Sequence, residues 1–91
     1  MYKGRHCIES DYYLLEINIR DFLSVIKRDN FTLKEVEKYL NTFSDYDSDI
    51  FLKLRTYLEK ISLDKEKYLI RITNLLEELK SNVLVDIREH N

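Results

Sequence analysis

Phe31-Thr32-Leu33-Lys34-Glu35-Val36 is the segment from which the fold of this chain is read. Thr32 stands where a helix N-cap is needed, and Glu35 follows three residues later, the spacing of a capping box. Phe31 and Val36 occupy the two positions of a hydrophobic staple across that cap. A helix therefore starts at Thr32, runs through Tyr39 and Leu40, and stops near Asn41. Phe43 then anchors the following loop to the core.

Helical periodicity extends on both sides of this segment. Upstream, Tyr12, Leu15, Ile19, Phe22 and Ile26 recur at spacings of three and four, with Leu14 and Leu23 widening the stripe. Ser10 suits the N-cap of that helix and Asp11 its positive end; Lys27 and Arg28 suit its negative end, and Asp29-Asn30 breaks it. Downstream, Asp47 or Ser48 caps a third helix with an apolar face of Ile50, Phe51, Leu54, Tyr57, Leu58 and Ile61. Leu63 and Tyr68 fit a staple around an Asp64 cap. Tyr68, Ile72, Leu75 and Leu79 form the seam of the fourth helix, widened by Leu69 and Leu76, and Ser81-Asn82 marks its end. Val83-Leu84-Val85-Asp86-Ile87 fits strand alternation as well as a continued helix. A strand needs a partner and the chain offers none, so the helical reading of this tail is preferred to the extended one.

The expected fold is all-α, a compact antiparallel four-helix bundle with helices at about 10–28, 32–41, 48–61 and 64–81 and a tail at 83–88. The second helix is expected to be the shortest. Residues 1–91 form a single domain, with 1–9 read as a loose N-terminal segment. Composition agrees. There is no proline and one glycine, Gly4, whereas sheet-rich folds draw on such residues for their turns. Alanine is absent, so the helices must pack through Leu, Ile and Tyr side chains.

Charged residues are 35% of the chain, of both signs, with a net charge of -2. Such a surface has no global field favouring nucleic acid or an anionic membrane. Lone Cys7 leaves no internal disulfide and fits a reducing compartment. The N-terminus lacks the apolar run of a signal peptide, and no apolar run approaches a membrane span. A cytoplasmic protein is expected.

The segment Asn41–Asp49 holds Asp45, Asp47 and Asp49 within five positions, together with Tyr46, and has no basic residue. Its Asp-x-Asp-x-Asp opening is that of an EF-hand calcium loop. That loop also needs glycine at its sixth position and glutamate at its twelfth, where Ile50 and Thr56 stand. No metal is expected. His6-Cys7 has only His90 as a further soft ligand, short of a structural zinc set. Carboxylate pairs such as Glu77-Glu78 lie on charged helix surfaces, and one glycine cannot build a phosphate loop. No cofactor and no catalysis are expected. Tyr12, Tyr39, Tyr57 and Tyr68 fall at core or core-edge positions, whereas Tyr13 and Tyr46 are the tyrosines expected to meet a partner.

Phe31–Leu40 resembles the first helix of the helix-turn-helix in MerR-like and excisionase-like proteins, over about ten residues. That resemblance would imply a DNA-binding regulator with Lys53 and Arg55 near the nucleic acid. The sequence departs from the pattern at Glu37, where the motif has a small residue, and in a turn without glycine. Asp45, Asp47 and Asp49 would also meet phosphates with like charge. The favoured expectation is a small non-catalytic protein-binding module, an inhibitor of the immunity, antitoxin or phage anti-defence kind. Asp45, Tyr46, Asp47, Asp49 and Tyr13 would contact a partner protein with a basic surface. The alternatives are the DNA-binding regulator and a structural subunit of a homo-oligomer, and a homodimer is compatible with so small a core.

Overall fold

The computed structural model describes residues 9–89. The chain forms four helices, α1 (Glu9–Ile26), α2 (Leu33–Tyr46), α3 (Ser48–Lys60) and α4 (Lys65–Glu89), in a closed ring of neighbours α1–α2–α3–α4–α1. No strand occurs among the described residues. His6, Cys7, His90 and nearly all of the expected loose N-terminal segment lie outside them; Glu9 already belongs to α1.

Neighbouring helices run antiparallel throughout. Lys65 at the start of α4 reaches the Lys27 carbonyl just past the end of α1, and Lys80 faces Glu16. Tyr12 and Tyr13 of α1 share a groove with Leu84 and Ile87 of α4. Leu33 of α2 lies with Leu58 and Ile61 of α3, and Leu40 with Phe51, so these two helices fold back along each other. The Cα extents are 42 × 18 × 18 Å. The two shorter dimensions match two helices side by side at about 8–10 Å spacing in each direction.

The core is the sum of the four predicted stripes. Leu15, Phe22, Ile26, Val36, Phe43, Leu54, Ile72, Leu76 and Val83 are fully buried. Phe22 stands edge-on to Phe43, with ring centroids 5.4 Å apart at 85°, and to Tyr39 at 6.1 Å. Each such pair adds about 0.5–1.5 kcal/mol beyond its buried area. Tyr57 and Tyr68 join α3 to α4 at 5.8 Å, half-buried, with the Arg71 guanidinium 5.9 Å from both rings.

Several local expectations are corrected. α2 does not stop near Asn41 but runs to Tyr46, because Thr42 Oγ1 and Ser44 Oγ donate to the Lys38 and Asn41 carbonyls instead of breaking the helix. At 14 residues it is longer than the 13-residue α3, which is the shortest helix. α4 likewise passes through Ser81-Asn82 to Glu89, because Val83 and Ile87 continue its buried stripe, and the tail is helical. Leu14 was expected to widen the α1 stripe, yet it is 57% exposed. The staple at Leu63 is not made, since Leu63 is exposed, although Asp64 does cap α4 by accepting from the Lys67 amide at 3.2 Å. The Glu35 carboxylate pairs with Arg28, so only the Thr32 half of the capping box forms.

Candidate functional site

The acidic segment is a corner, not a loop. Asp47 alone separates α2 from α3, with φ −157° and ψ 107°. Its amide donates to the Phe43 carbonyl at 3.0 Å, closing α2. Its Oδ1 accepts from the Asp49 and Ile50 amides at 3.0 and 3.2 Å, opening α3. A short acceptor side chain in extended backbone is what an N-cap requires. Phe43 below and Ile50 above are both buried, which holds the corner against the core.

The five candidate residues therefore separate by role. Asp45 and Asp49 are exposed on the last turn of α2 and the first turn of α3. Asp47 is committed to the two helix ends. Tyr46 is half-buried and packs on the core, so it presents less of its ring than the sequence implies. Tyr13 is 61% exposed and stands edge-on to Tyr12, with centroids 6.2 Å apart.

Two shallow grooves place these groups at one end of the bundle. Tyr46 and Asp47 share one of about 180 Å³ with Leu79, Asn82, Asp86 and Glu89 of α4. Tyr13 lines another of about 480 Å³ with Glu9, Tyr12, Leu84, Ile87 and Arg88. The last turns of α4 lie between the two, so Tyr13 and the acidic corner share an end but sit on different flanks. Asp86 and Glu89 are absent from the sequence-level site. They are some forty residues away in sequence and become visible only once the apolar stripe of α4 is carried past Asn82.

Chemically, the corner offers carboxylates that accept hydrogen bonds and attract cations, beside a tyrosine ring. Among the described residues, no group of three His, Cys, Asp or Glu side chains is placed to hold a metal ion. Nor is any helix of the described residues long and apolar enough to cross a membrane.

A helix-turn-helix joins its helices at about 90–120° through a turn of three or four residues. Here one residue joins α2 to α3, and the two helices lie side by side. Arg55 sits against the Phe51 ring at 5.9 Å, in the groove between α2 and α3. No protein-family model, no curated protein and no solved structure matches this chain.

Proposed function

We propose that this chain is a non-catalytic protein-binding module of the cytoplasm that acts by occupying a basic surface on another protein, as an inhibitor of the immunity or antitoxin kind does. The observation that carries this reading is the groove in which Tyr46 and Asp47 meet Asp86 and Glu89 of α4, with Asp45 and Asp49 exposed on the helix turns to either side of Asp47. These acidic groups come from three helices yet share one end of the bundle. A partner lined with Arg and Lys would be steered to this end and held by charge-assisted hydrogen bonds. Lone Cys7 is consistent with a reducing compartment.

The test uses two baits, the native chain and Asp45→Asn/Asp49→Asn, matched for thermal unfolding. Asp47 is left intact because it closes both helices. A partner held by the native bait alone is then purified and its association rate followed with salt. The rate should fall at least tenfold between low and high ionic strength. A salt-independent rate, or equal retention by both baits, overturns the reading.

A further inference from the structure

Most exposed large apolar side chains are scattered singly over the surface, as is normal for a soluble domain. The exception is α1, where Tyr13, Leu14 and Ile17 are 61%, 57% and 47% exposed. With about 100° between successive residues, these three fall within one arc of about 100° on the outer face. That arc points away from Leu15, Ile19, Phe22 and Ile26, which face the core. Nothing else in the described chain covers it.

The charges beside the arc indicate what does. Glu9 and Arg20 are exposed and lie along the same edge of the stripe, about three turns apart. Among the described residues neither makes an ion pair. The midpoint between Glu9 and Arg20 falls within about half a residue of the midpoint between Tyr13 and Ile17. Two α1 helices packed antiparallel about a two-fold axis keep like edges together while reversing direction. One register therefore sets Tyr13 against Ile17 of the second copy and Glu9 against Arg20 of the second copy, each contact made twice.

We propose that the outer face of α1 is the interface of a two-fold homodimer, paired antiparallel in this register, with Tyr13, Leu14 and Ile17 as its apolar centre and two Glu9–Arg20 pairs at its rim. This surface is independent of the acidic corner. It returns Tyr13 to the interface between copies rather than to a foreign partner. The self-complementary charges fix direction and register, and the apolar centre supplies the affinity.

Sedimentation equilibrium of the full chain tests the proposal. The native chain should show a reversible monomer–dimer equilibrium, and Ile17→Glu should shift it toward monomer by at least tenfold in dissociation constant. Circular dichroism should show helix content retained, because Ile17 lies outside the buried core on the outer face of α1. Glu9→Arg and Arg20→Glu should each weaken the dimer, and the double exchange should restore it. A native chain that stays monomeric up to about millimolar concentration overturns the proposal. So does a dimer indifferent to Ile17→Glu, or one that the double exchange fails to restore. Binding of a foreign partner by the monomeric Ile17→Glu chain would leave the reading of the acidic corner standing by itself.

Discussion

The amide of Asp47 lies 3.0 Å from the Phe43 carbonyl, and this contact ends α2 at the residue whose side chain begins α3. One residue thus closes one helix and caps the next, and the tight reversal of α2 onto α3 depends on it. Replacing Asp47 with Ala removes the acceptor for the Asp49 and Ile50 amides and should cost about 1 kcal/mol, up to about 2. Asp45→Asn and Asp49→Asn should stay within about 0.5 kcal/mol of the native chain, since both are exposed. Denaturant midpoints at unchanged slope measure the difference. Equal losses at all three positions would show that Asp47 is not the pivot.

Thr32 opens α2 by accepting from the Glu35 amide at 3.3 Å. Thr32→Ala should lower stability by about 1 kcal/mol. Glu35→Ala should do less, because the Glu35 carboxylate is engaged with Arg28 in an exposed pair, and such pairs contribute about 0–1 kcal/mol. A complete capping box would make both changes comparable, so the ratio of the two midpoint shifts separates the arrangements.

The caps of α2, α3 and α4 and the end of α3 at Lys60 were legible in the sequence. Ser10, which reads as a cap, lies inside α1, and the ends of α2 and α4 were not legible. Thr32, Asp47 and Asp64 each cap as read, because capping depends on a short side chain and the amides two or three residues on. The sequence reads as a helix stopping near Asn41, yet the hydroxyls of Thr42 and Ser44 fold back onto helix carbonyls and the buried Phe43 carries the helix onward. Ser81-Asn82 is passed over in the same way because Val83 is buried beyond it. No glycine or proline stands at these points to impose a stop. The site divides similarly. Asp45 and Asp49 were visible as surface charge, but Asp86 and Glu89 reach the corner only through packing of α4, which local pattern does not encode.

Lys65 ties the start of α4 to the end of α1, donating to the Lys27 carbonyl at 2.6 Å and to Asp29 Oδ1 at 2.9 Å. The hydrogen bond from Lys65, and then its charge, hold the Asp29 carboxyl below its ordinary value. Because the folded pKa is the lower one, the pair stabilises the fold above the unfolded carboxylate value. Its contribution is lost as pH falls through the folded one. Asp29→Asn should therefore be less stable than the native chain above about pH 5 and converge with it near about pH 2. Asp29 is almost fully exposed, so added salt should narrow the gap at neutral pH. Thermal unfolding of both chains across pH and salt checks the sign.

Val83 and Val85 distinguish a helical C-terminal segment from an extended one. Two residues apart, they would share a face in a strand and answer alike to substitution. In α4 they are about 200° apart, and Val83 is fully buried while Val85 is 50% exposed. Val83→Asp places a carboxylate in the core beside Leu79 and Ile87 with no partner, a change of the class that costs several kcal/mol. That is a large part of the roughly 5–15 kcal/mol typical of a domain, so this variant should be largely unfolded at 37 °C. Val85→Asp should remain folded, with its midpoint within about 0.5 kcal/mol of native. Circular dichroism melts of the two variants make the comparison, and similar losses at both positions would rule out the helix through this segment.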